Sequence, residues 1–186
     1  MEELFRGNYR PLYTLCKKYE AFQDMPFLQD ITYAIVDSMF PGSKFILTVR
    51  ESNAWFESMK KFHLKGILNK AGVEDLEDFD ELTFKDKAIY LKKNYLQNIF
   101  ERNAASVVDH KVLFDWSLVY NKVRRIELYE RRNQEIVKHF QERRDQLLVL
   151  ELSKEHDTSK VVEFLNLSKE LVAPFTHLNK SSSDSW

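Results

Sequence analysis

Arg50 closes an apolar run, Lys44-Phe45-Ile46-Leu47-Thr48-Val49, and is followed by the polar turn Glu51-Ser52-Asn53 and, eight residues on, by Ser58. An arginine presents a planar fork of N–H donors that matches the paired oxygens of a phosphate, and a hydroxyl adds a further bond. The β-branched run after Pro41-Gly42 predicts a buried parallel strand that ends at Arg50. Ligands of open α/β sheets lie beyond the carboxyl ends of the strands, which is where Arg50 falls. Ser52 or Asn53 can cap the helix that follows, whose free amides favour an anion. These groups together predict a phosphate site. The competing reading is a core strand whose terminal arginine makes a surface ion pair.

Strands and helices in alternation are needed to position such a site. Pro11 to Glu20 carries a short helical pattern, and Ala21 to Gln23 reads as a brief strand. Asp24 can cap a helix that starts at Pro26, where Phe27, Ile31, Ile35 and Met39 recur every four residues down to the Pro41-Gly42 stop. Strand, helix, turn and strand make one βαβ unit. A helix is expected over residues 53–65, a solvated loop over 65–85 and a second helical region over 86–103. The longest helix is expected over 117–143, with Ile126, Tyr129, Ile136, Val137 and Phe140 on its buried stripe and Asn133 interrupting it. A buried strand over 146–152 and a short helix over 158–165 follow. The fold class this implies is α/β and helix-rich, a parallel sheet flanked by helices. Residues 1–180 read as one domain, and the serine-rich residues 181–186 as a flexible tail.

The chain has 186 residues, enough for a single core, and its 28 basic and 29 acidic side chains leave a net charge of −1. A balance so even gives no global attraction for nucleic acid or an anionic membrane. The basic residues between Lys122 and Arg144 are interleaved with Glu127, Glu130, Glu135 and Glu142, which is the pattern of a solvated helix face. Cys16 is the only cysteine, so no internal disulfide can form, and an intracellular, cytoplasmic setting is expected. No run of about 20 apolar residues is present, and the N-terminus has no basic-then-apolar signal. The histidines at 63, 110, 139, 156 and 177 lack metal-ligand spacing, so no metal is expected.

Four segments in order resemble the sulfotransferase family. They are Ala21-Phe22-Gln23-Asp24-Met25-Pro26-Phe27, the strand Phe45 to Arg50 with Ser58, Leu147-Leu148-Val149-Leu150, and Pro174-Phe175-Thr176-His177-Leu178-Asn179-Lys180. The resemblance implies a P-loop-like α/β fold that uses 3′-phosphoadenosine 5′-phosphosulfate (PAPS) as donor and releases adenosine 3′,5′-bisphosphate (PAP). It places Arg50 and Ser58 on the 3′-phosphate and Lys180 in a closing loop beside it. Asp24 falls on the family's catalytic histidine, which makes it the candidate base. The acceptor would be a hydroxyl or amine, held against the region between His63 and Ser117.

The family's first loop, of the type Lys-x-Gly-Thr, holds the 5′-phosphosulfate through backbone amides and a lysine. Gly7, Gly42, Gly66 and Gly72 are the only glycines, and none is followed by threonine or by Lys-Ser or Lys-Thr. The resemblance therefore implies a domain incomplete at its N-terminus. The alternative is a non-catalytic remnant of the fold that binds a nucleotide or a partner.

Overall fold

The Pro41-Gly42 stop is a tight turn: Gly42 takes the left-handed φ of +87°, and Ser43 N–H donates to the Phe40 carbonyl at 3.2 Å. Proline followed by a residue of positive φ is the type II arrangement, which suits glycine because it carries no Cβ. The computed structural model describes residues 2–29, 31–65 and 104–175. These divide into two compact units, whose boundaries pass within one strand and one helix.

The first unit comprises residues 1–48, 132–151 and 157–173. It holds the short helices α1 (Glu2–Phe5) and α2 (Arg10–Cys16), then α3 (Thr32–Met39). Strand β1 (Phe45–Val49) pairs in parallel with β4 (Leu147–Glu151). The expected parallel sheet is thus present, as a two-strand pair among the described residues. Leu12, Val36, Leu47, Ile136, Phe140, Leu150 and Val162 are buried and form the core of this unit. The Phe45 ring packs 4.8 Å from Phe140 between centroids. Only one face of β1 is covered, since Leu47 is buried whereas Ile46 is 40% exposed. The strand, expected from its apolar run to be buried, is therefore half-buried. Helix α6 (Ser159–Phe164) ends where Asn166 turns to φ +53°, with Leu167 N–H donating to Val162 C=O at 2.9 Å and Asn166 N–H to Glu163 C=O at 3.0 Å. That is a Schellman cap, with asparagine in the place usually taken by glycine.

Two expectations for this unit need correction. Residues 21–23 are not a strand. Phe22 instead stacks on Phe27, 4.7 Å between centroids, so the segment folds onto its own aromatic rings. The helix expected from Pro26 begins only at Thr32. Asp24 takes a left-handed φ of +64°, and its carbonyl accepts from Phe27 N–H at 2.9 Å and Leu28 N–H at 3.2 Å, which makes a turn out of the expected first helical turn. Ile31 is consequently 58% exposed.

A buried ion pair ties this unit together. The Asp37 carboxylate, 6% exposed, accepts from both terminal nitrogens of Arg143 at 2.8 and 2.7 Å, and His139 Nε2 lies 2.8 Å from Oδ2. Hydrogen bonding to Arg143 holds the Asp37 carboxyl below the usual carboxylate range; desolvation by burial opposes this, and the His139 bond adds to the lowering.

The second unit comprises residues 49–131, 152–156 and 174–186. It holds α4 (Ser52–His63), the antiparallel hairpin of β2 (Ala105–Val108) and β3 (Lys111–Phe114), and the first turns of α5 (Lys122–His139). Phe56, Ala104 and Val119 are its buried apolar residues among those described. Asp109 and His110 at the hairpin tip have φ of +50° and +61°. Two successive positive values give the mirror-image turn whose twist matches that of the strands it joins. Helix α5 is shorter than expected at its start, because Asn121 Oδ1 accepts from Arg124 N–H at 3.0 Å and caps it there. Ser117 belongs instead to a 3₁₀ turn, where it donates to Asp115 Oδ1 at 2.6 Å. Val137, expected on the buried stripe, is 46% exposed. The helix expected over residues 86–103, the loop before it and the C-terminal tail lie outside the described residues.

Candidate functional site

The start of α4 is capped by Glu51, not by Ser52 or Asn53. Glu51 Oε1 accepts from Asn53 N–H at 2.9 Å, and Oε2 accepts from Ala54 N–H at 2.7 Å. These backbone bonds hold the Glu51 carboxyl below its ordinary range, so it stays ionised at neutral pH. A carboxylate satisfies orphan amides as a serine hydroxyl would, and it also meets the positive end of the helix dipole. The helix-start amides of residues 53 and 54 are therefore occupied by the chain itself.

Ser52, freed from capping, donates from Oγ to Glu130 Oε1 at 2.6 Å, and Lys122 reaches Glu57 at 3.7 Å. Tyr129 precedes Glu130 on α5. Its hydroxyl accepts from Arg50 N–H at 2.9 Å and donates to Arg50 C=O at 3.1 Å. The Trp55 ring stacks on Tyr129, with centroids 4.2 Å apart and planes 11° from parallel. Arg50 is thus held by its peptide groups, whereas its side chain is exposed. Among the described residues the Arg50 guanidinium makes no hydrogen bond or ion pair. The surface ion pair that would explain this arginine as a structural residue is not formed there.

Ser58 lies on α4 at the i+3 position from Trp55, on the same helix face, and is exposed. Its hydroxyl also has no bonding partner among the described residues. Arg50 and Ser58 belong to the same unit. Asp24 lies in the other unit, in the turn before α3, where its Oδ1 accepts from Met25 N–H at 3.1 Å. Its side chain is exposed, so the burial on which a carboxylate base depends is not provided at that position. Lys180 lies outside the described residues.

At the far end of α4, His63 Nδ1 and the Tyr120 hydroxyl are 3.0 Å apart. Burial, with the nearby Arg125 charge as the second cause, pushes the His63 imidazole down to about 4. Burial raises the Tyr120 hydroxyl and lowers the Arg125 guanidinium. In the folded chain His63 stays neutral between pH 6.5 and 4, while in the unfolded chain it takes up a proton near 6.5, so stability is lost as pH falls through this window. The slope from this one group approaches about 1.4 kcal/mol per pH unit. Denaturant melts of the wild type and His63→Gln over that range check it. The variant is expected to show the flatter profile, and equal slopes would remove His63 as the cause.

Three residues of this region escaped the sequence reading. Tyr129 lies on the apolar stripe, where its ring packs on Trp55, but its polar tip is what reaches Arg50. A tyrosine combines an apolar body with a hydroxyl that seeks a partner, so its place on the stripe was a usable signal. Glu51 and Glu130 carried none, because their partners are set by helix-start geometry and by a residue 78 positions away.

A parallel strand pair with helices between its strands, ending at an arginine whose guanidinium has no partner among the described residues, defines an α/β domain. The family model described as "Sulfotransferase domain" matches residues 2–183, nearly the whole chain. The protein belongs to the sulfotransferase family. No individual curated protein matches it significantly. Among the described residues no helix is long and apolar enough to cross a membrane.

Proposed function

We propose that this protein binds PAPS and moves its sulfuryl group to a hydroxyl or amine acceptor. The Arg50 fork and the Ser58 hydroxyl take the 3′-phosphate, with Lys180 adding a cation. In the transfer, an acceptor oxygen or nitrogen forms a bond to sulfur as the bond from sulfur to the 5′-phosphate oxygen breaks. PAP leaves with that bonding pair. Asp24 takes the acceptor proton. The observation that carries the reading is Arg50, fastened through both of its peptide groups while its guanidinium has no protein partner among the described residues. Membership of the sulfotransferase family supports the same chemistry. Calorimetric titration of the native chain with PAP tests it: saturable binding is expected, and no binding overturns it.

The exposure of Asp24 favours a second reading, in which the domain binds a nucleotide or partner without catalysing transfer. The two readings separate on Asp24→Asn in a sulfuryl-transfer assay. If Asp24 is the base, the rate falls by about a hundredfold with PAP affinity unchanged. Transfer at the full rate in the variant removes Asp24 from that role, and a wild type that binds PAP but transfers nothing favours the second reading.

A further inference from the structure

We infer that Tyr129 is a positioning residue for the nucleotide site, holding the Arg50 peptide so that the guanidinium is presented to the 3′-phosphate. The inference rests on the reading of Arg50 given above and extends it to a residue on a different element. One hydroxyl, offering one donor and lone pairs, both accepts from Arg50 N–H at 2.9 Å and donates to Arg50 C=O at 3.1 Å. For one atom to meet both groups, they must point to the same side of the chain, as they do in an extended strand. The Tyr129 tip therefore stands where the next residue of a neighbouring strand would pair, one position beyond the end of β1.

The hydroxyl is itself aimed by the ring. The nearly parallel stack of Trp55 on Tyr129 fixes the ring plane, and Trp55 sits on the first turns of the helix that carries Ser58. Arg50, Trp55 and Tyr129 thus form a closed set: backbone to hydroxyl, ring to ring, and ring to the helix that starts just after Arg50. A long, exposed guanidinium has many rotamers, and fixing the origin and direction of its side chain reduces what must be ordered when phosphate binds. Glu51 occupies the helix-start amides, so more of the phosphate recognition falls on the arginine that Tyr129 holds.

The test is a double-mutant cycle, with the wild type, Tyr129→Phe, Arg50→Ala and the double variant each titrated with PAP. Adenosine 5′-monophosphate, which lacks the 3′-phosphate, is titrated against the wild type and Tyr129→Phe. Tyr129→Phe keeps the stack on Trp55 and removes both hydrogen bonds, so PAP affinity is expected to fall about fivefold, with no further effect once Arg50 is alanine and none on the monophosphate. PAP affinity unchanged by Tyr129→Phe but lost in Arg50→Ala overturns the positioning role and leaves the phosphate site intact. An equal loss for both ligands, or the same loss with and without Arg50, also overturns it, since a general structural defect behaves that way. Failure of the wild type to bind PAP strikes the underlying site reading instead. Should Tyr129→Phe not fold, Trp55→Phe, which keeps an aromatic face but loosens the stack, takes its place in the same cycle.

Discussion

Arg50→Ala is expected to raise the dissociation constant for PAP by a factor of about 150, because two charge-assisted hydrogen bonds between a guanidinium fork and a phosphate are worth about 3 kcal/mol at the lower end of their range. The loss should be in binding, not in folding. The side chain is exposed and without a protein partner among the described residues, and the peptide groups that Tyr129 holds are unchanged by the substitution. The melting temperature should therefore stay close to that of the wild type. Arg50→Lys keeps the charge but not the fork, and should fall between the two. Raising the salt concentration should weaken wild-type binding more than binding by Arg50→Ala, since an exposed charge is screened. Calorimetry over the three chains decides the matter. An Arg50→Ala chain that binds PAP as tightly as the wild type removes Arg50 from the site.

The largest loss of stability is expected from Asp37→Asn. Breaking a buried ion pair by neutralising one partner typically costs 3 to 5 kcal/mol, and the partial exposure of Arg143 places this pair near the low end, at about 3 kcal/mol. For a chain of this length that corresponds to about 9 °C in melting temperature. The amide of asparagine offers one acceptor where the carboxylate offered two to the arginine fork, and its NH₂ group faces an N–H donor. The pH dependence has a definite sign. The folded-state pKa of Asp37 is lowered, so its contribution is fully present above the ordinary carboxylate range and is lost as pH falls through the folded value. Wild type and variant should therefore converge in acid. Arg143→Lys, which keeps one charge but loses the bidentate geometry, should cost less than Asp37→Asn. Stability of Asp37→Asn within about 0.5 kcal/mol of the wild type at neutral pH would show that the pair is not stabilising.

Local chemistry explains which elements were legible. Strand β1 with its Pro-Gly turn, helix α4, strand β4 and helix α6 were each found within a residue or two. Their signals are short-range: an apolar β-branched run, a residue that takes positive φ, a period of 3.6. The segment before α3 misled because its spacing of four persists through Phe27 and Ile31, although the left-handed Asp24 had already turned the chain. The hairpin was missed because Asp-His is not among the usual tip pairs, although both residues accept positive φ.

Arg50 and Ser58 could be named from spacing and resemblance because a strand end and the next helix are joined by only a few residues. The sequence by itself determined the residue types, the strand that delivers the arginine and the helix face that carries the serine. The tertiary structure alone decided that Ser52 donates to Glu130, 78 positions away, and that Tyr129 fastens the Arg50 peptide from 79 positions away. It also decided that Asp37, on a helix that looked merely amphipathic, is the buried half of an ion pair with Arg143. Bonds between residues distant in sequence depend on where packing brings two elements together. No local pattern of one element encodes that.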